Sequence, residues 1–139
     1  MKIEYDKFFI DTNILVYNSI ETSTLFSDIE IIMNNFKNKK YLRFISNQIF
    51  NEYYSVLTNP KRIIEPFSVK NVIRNIKKYI TFLNILPTPY NYSLILSELE
   101  KYNITGRNIF DFNIYITMKY NNIKNLITVN EKDFIIFKE

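Results

Sequence analysis

The stretch Lys7-Phe8-Phe9-Ile10-Asp11 constrains the fold more than any other part of the chain. Its apolar residues are consecutive rather than alternating. A strand that must hide both faces looks like this, and such strands sit inside parallel sheets covered by helices. The run breaks at Asp11-Thr12-Asn13, and Ile14-Leu15-Val16-Tyr17 then starts a helix. The same alternation continues along the 139 residues. A helix is expected from about 23 to 38, with Leu25, Ile29, Ile32, Met33 and Phe36 at helical spacing. Arg43-Phe44-Ile45-Ser46 reads as a strand, and residues 47 to 57 as a helix stopping before Pro60. Ser68 is placed to cap a helix whose stripe is Val69, Val72, Ile73, Ile76 and Ile80. A strand at Leu83-Asn84-Ile85-Leu86 precedes a helix near 90 to 102 and another over 109 to 120. Asn125-Leu126-Ile127-Thr128-Val129 reads as a further strand, and Phe134-Ile135-Ile136-Phe137 as one more. Strands alternating with helices indicate a single α/β domain over 1–139, with a largely parallel sheet and helices on both faces. Ligands in such sheets bind beyond the carboxyl ends of the strands, where Asp11 and Asn130 fall.

What the chain lacks narrows its chemistry. It has neither histidine nor cysteine. That excludes serine-histidine triads, paired-histidine ribonucleases, thiol nucleophiles and zinc held by imidazole or thiolate. Any enzyme built from this chain must work with carboxylates, through a hard cation such as Mg²⁺ or Mn²⁺. The absence of cysteine also fits a reducing compartment. One glycine, Gly106, leaves no glycine-rich phosphate loop. The polar start Met1-Lys2-Ile3-Glu4-Tyr5-Asp6 is unlike a signal peptide, and no apolar run approaches a membrane span. A cytoplasmic location follows as an expectation. The formal charge of +4 favours an anionic partner such as nucleic acid, although an excess of lysine is equally a matter of base composition.

Three carboxylates stand out, each with an ordinary alternative. Asp11 ends a buried strand; its bland role is to cap the next helix, which Thr12 and Asn13 could also do. Glu52 lies just beyond the stripe Ile49, Phe50, Tyr53, Val56 and Leu57, at the rim between core and solvent; a solvated glutamate is the alternative. Asp111 sits among Ile109, Phe110, Phe112, Ile114, Ile116 and Met118, where an unpaired carboxylate is disfavoured, unless it pairs with Asn108 as a helix cap. A parallel sheet would bring these segments to one edge, and a divalent cation would relieve the mutual repulsion.

At this point the sequence resembles the PIN-domain family, especially the VapC-like toxin ribonucleases. The resemblance rests on Phe9-Ile10-Asp11-Thr12-Asn13-Ile14-Leu15, on Ile45-Ser46 through Glu52 to Leu57, on Arg107-Asn108-Ile109-Phe110-Asp111, and on Asn125 through Phe134. It implies a three-layer, Rossmann-like parallel sheet with an acidic pocket binding Mg²⁺ or Mn²⁺. It further implies endonucleolytic RNA hydrolysis leaving a 5′-phosphate and a 3′-hydroxyl, an antitoxin protein that blocks the pocket, and a homodimer. Asp11, Glu52 and Asp111 match the family's acidic positions as metal ligands, and Asn130 stands at the fourth, where the family often has Asp. Thr12, Asn13 and Thr128 match groups that orient the carboxylates, as does Asp133, whose place before a Phe is usual in the family. Lys37, Lys39, Lys40, Lys61, Arg62, Lys77 and Lys78 are candidates for an RNA track, each with a solvated surface charge as its alternative. A PIN-like module that binds RNA or protein with weakened catalysis is the competing function, kept open by Asn130. A phosphatase using Asp11 as nucleophile would place a second carboxylate two residues on, where Asn13 stands.

Overall fold

In a computed structural model, residues 5–37 and 40–138 are described. They form four parallel strands and a set of helices in the order β1 (Asp6–Ile10), α1 (Thr12–Ser19), α2 (Phe26–Phe36), β2 (Tyr41–Ser46), α3 (Asn47–Thr58), α4 (Val69–Tyr79), β3 (Asn84–Leu86), α5 (Tyr92–Lys101), α6 (Asn108–Tyr120) and β4 (Asn125–Ile127). The sheet order is β3-β2-β1-β4. Phe9 pairs with Phe44 on one side and with Leu126 on the other, so β1 is central. Phe9 and Ile10 are fully buried, as the unbroken apolar run requires.

The strand order explains where a site can form. The chain leaves β1 toward β2 and β3, then crosses back to place β4 on the other side of β1. With right-handed crossovers, α1 to α4 cover one face and α5 and α6 the other. Adjacent strands whose connections depart in opposite directions open a crevice at their carboxyl ends. Here those strands are β1 and β4, ending just before Asp11 and Thr128.

Helix starts are tight. Ser46 closes β2 and caps α3, its Oγ accepting from the Ile49 N–H, so no loop separates strand from helix. Ser68 caps α4 as expected. Behind these helices the hydroxyl of Tyr53 meets Ser19 Oγ at 2.7 Å and accepts from Asn75, while that of Tyr79 donates to Asn18 at 2.8 Å. Buried hydroxyls satisfied in this way fix α1, α3 and α4 against one another.

One expected strand is not a strand. Residues Glu131–Phe137 wind into a 3-10 helix, with Phe134 buried and Ile135 and Ile136 exposed. Phe137 instead stacks on Tyr115 of α6, centroids 4.4 Å apart. A four-residue apolar run fits either state, and packing against α6 decides it. Among the described residues no helix is long and apolar enough to cross a membrane.

Candidate active site

The crevice between β1 and β4 gathers carboxylates. Asp11 follows β1 directly and is buried. It does cap α1, since its Oδ1 accepts from the Thr12 N–H at 2.7 Å. Capping and site membership are compatible because the second oxygen points elsewhere: Oδ2 accepts from Thr128 Oγ1, also at 2.7 Å. Thr128 in turn accepts from the Asn130 N–H at 3.0 Å. The carboxylate is thus held from both strands of the crevice.

Glu52 is half-buried on the second turn of α3, at the rim its helical position implies. Thr12 Oγ1 donates to its Oε2 at 2.8 Å, and Gln48 Nε2 donates to its Oε1 at 2.8 Å. Gln48 also donates to the carbonyl of Phe110 at 3.1 Å, tying α3 to the first turn of α6. Gln48 is a site residue the sequence reading did not single out. Its signal was the four-residue spacing to Glu52 on one helix face.

Asp111 lies in that first turn of α6. The capping alternative does not hold: Arg107 is the N-cap, no side chain closes the helix end, and Asn108 is the first helical residue. Gly106 supplies the left-handed backbone, φ +54°, on which the chain turns into α6. Desolvation first, then repulsion from Asp133, Asp11 and Glu52, pushes the Asp111 carboxyl from 3.8 up to about 6. Asp11 is also raised: burial is the largest cause, opposed by the bonds from Thr128 and Thr12, with Glu52 and Asp133 raising it further.

A further acid, Asp133, bears on these carboxylates beside the expected Asn130. Asp133, in the first turn of the 3-10 helix, acts on Asp111 more strongly than Asp11 or Glu52 does. Asn130 contributes its backbone, donating to Thr128 and accepting from the Asp133 N–H at 3.1 Å, while its side chain makes no capping bond. The turn from 130 to 133 thus places Asp133 near enough to act on Asp111 and Asp11. Asn13 is half-buried on α1, and among the described residues no hydrogen bond ties it to them.

Four of the residues expected for an RNA track lie away from this edge. Lys40 immediately precedes β2, and Lys37 closes α2 with its ammonium 5.7 Å from the Phe82 ring centre. Lys77 and Lys78 end α4 ahead of β3. All four lie toward the amino ends of the strands, a strand length of roughly 20 Å from the carboxylates. Lys61 and Arg62 are exposed in the turn beyond α3, and Lys39 lies outside the described residues.

All the donors are oxygens, and every charged group acting on Asp111 is a carboxylate. Such a set suits a hard divalent cation. Among the described residues, no three acidic side chains close tightly enough to hold a metal ion as they stand.

No protein-family model and no curated protein matches the sequence. Solved structures do match. VapC20 of Mycobacterium tuberculosis, a toxin that cleaves the sarcin-ricin loop, is similar with a TM-score of 0.68 and 11% identity, over 91% of this chain and 92% of that one. A chain of VapBC2 from Rickettsia felis, solved bound to a DNA fragment from its promoter, is similar with a TM-score of 0.60 and 22% identity, over 92% and 90%. At these identities the likeness is one of fold. The chain has the PIN-type α/β fold that the sequence resemblance implied.

Proposed function

We propose that the protein is a divalent-metal-dependent endoribonuclease, the toxin of a toxin–antitoxin pair acting in the cytoplasm. The observation that carries this is the set Asp11, Glu52, Asp111 and Asp133 gathered at the crevice of a PIN-type fold, with no cation among the groups acting on Asp111. A carboxylate cluster left unpaired at a sheet's ligand-binding edge is expected where charge will later be supplied. VapC20 cleaves an RNA loop and VapBC2 is a complex, which support an RNA substrate and a partner protein.

Asp11, Glu52 and Asp111, with Asn130 or Asp133 completing the set, would hold Mg²⁺ or Mn²⁺, which when bound supplies a polarised phosphodiester oxygen and an acidified water. Thr128 and the Thr12 N–H fix both oxygens of Asp11. Thr12 Oγ1 and Gln48 fix both oxygens of Glu52. Asp111 has no such clamp and is the cluster's first proton acceptor, so protons and cation compete there.

A module that binds RNA or protein without cutting is the second reading. Asn130 at the fourth family position favours it, as does the loose spacing of the acidic groups. Incubating the purified protein with labelled structured RNA separates the two. Cleavage that requires Mn²⁺ or Mg²⁺, stops in EDTA and is absent in Asp111→Asn is the expected result. Metal binding with no cleavage across a wide RNA pool would establish the module instead.

A further inference from the structure

Most aromatic side chains near the crevice face inward: Phe9 and Phe112 are almost fully buried. Phe110 is 53% exposed, although it immediately precedes Asp111, and its neighbour Ile109 is exposed as well. It is also fixed in place. The Gln48 amide that donates to Glu52 Oε1 at 2.8 Å donates to the Phe110 carbonyl at 3.1 Å, so one side chain ties this residue's backbone to a carboxylate of the cluster.

A cation shared by the carboxylates would receive the cleaved phosphate but gives the neighbouring base nothing to hold, and Lys37, Lys40, Lys77 and Lys78 stand at the other end of the sheet. The nucleotide beside that phosphate is then best held by contacts that do not depend on charge. Stacking of a base on an aromatic ring is such a contact, and any base can make it. Arg107, exposed at the N-cap one turn earlier and in no ion pair with a described residue, adds positive charge where a flanking phosphate would lie.

We infer that Phe110 is a stacking platform for an unpaired nucleobase next to the cleaved phosphodiester. This rests on the nuclease reading above. A base inside a duplex has no free face to offer, so paired RNA of the same sequence is excluded.

The test uses a short single-stranded RNA carrying 2-aminopurine, whose fluorescence is quenched on stacking, with wild type, Phe110→Ala and Phe110→Tyr. The wild type should bind and quench; Phe110→Ala should bind on the order of tenfold more weakly and lose the quenching. Phe110→Tyr should restore both, and Mn²⁺ binding should be the same in all three. Duplex RNA should give no quenching with any of them. Equal binding and quenching by wild type and Phe110→Ala would overturn the inference while leaving the nuclease reading intact. So would unchanged RNA binding with an altered oligomeric state, which would make Phe110 a protein contact. Failure of the wild type to bind or cut any RNA would remove the nuclease reading, and this inference with it.

Discussion

Glu98 and Asp111 are both acids on helices of the same layer, and they titrate in opposite directions. Glu98 on α5 is only 7% exposed, and Asp111 is more open. Yet Glu98 is held below its ordinary value, first by the hydrogen bond from Lys119 at 2.8 Å and then by that from Tyr115 at 2.9 Å, which outweigh its desolvation. Asp111 is raised, first by desolvation and then by repulsion from Asp133, Asp11 and Glu52, with no cation among the groups acting on it to offset them. Both acids bear a desolvation cost, and only Glu98 has a cation beside it to outweigh that cost. The paired acid fastens α5 to α6, while the acids at the crevice repel one another and hold the fold less well than neutral groups would.

Exchanging the two acids for their amides should break this contrast most visibly. Asp111→Asn should lower metal-dependent RNA cleavage by at least about a hundredfold, since groups that merely orient metal ligands already cost 10–100-fold. In EDTA at pH 7 the same variant should melt at a higher temperature than the wild type. Glu98→Gln should do the reverse, with cleavage kept and stability lowered by about 1–3 kcal/mol. The low end of that range applies, because Lys119 is 39% exposed and can regain water.

A pH titration sharpens the comparison. The folded-state value of Asp111, about 6, lies above its ordinary 3.8, so the folded protein takes up this proton first. Stability in EDTA should rise as pH falls from 7 toward 5, and cleavage should fall over the same interval. Glu98 has the opposite sign: its contribution is full above its ordinary 4.5 and is lost as pH drops through its lowered value. Thermal melts from pH 3 to 8 should show both limbs, the acid limb flattened in Glu98→Gln and the upper one in Asp111→Asn.

Smaller effects follow further out. Thr128→Val removes the bond to Asp11 Oδ2 and should weaken Mn²⁺ binding 10–100-fold by calorimetry. The combined change of Lys40, Lys77 and Lys78 to Ala should alter RNA cleavage least, by no more than about twofold at 0.1 M salt, where the Debye length is about 10 Å.

Much of this was legible in the sequence. The continuous run before Asp11 specifies a central parallel strand, and the helix stripes specify what covers it. Asp11, Glu52 and Asp111 each end or flank an apolar pattern, and although each has an ordinary alternative there, the family resemblance joins the three. Asp133 and Asn130 could not be ranked that way. Both follow β4, and which side chain turns inward depends on a 3-10 turn that an apolar run of four residues reads equally well as a strand. The lysines could not be placed from the sequence for a different reason. Charge carries no direction along the chain, but strand polarity does: residues just before a parallel strand, such as Lys40, fall at the end opposite the ligand crevice. For Asp11 the ordinary role does not rule out the other, since capping α1 occupies one of its two oxygens.

The central claim is that the crevice carboxylates exist to share a cation. Calorimetric titration of the purified protein with Mn²⁺ at pH 7.5, beside Asp111→Asn and Glu98→Gln, tests it most directly. Saturable binding in the wild type and Glu98→Gln, weakening toward pH 6 and lost in Asp111→Asn, is the predicted result. No binding in the wild type, or binding that survives Asp111→Asn unchanged, would contradict it.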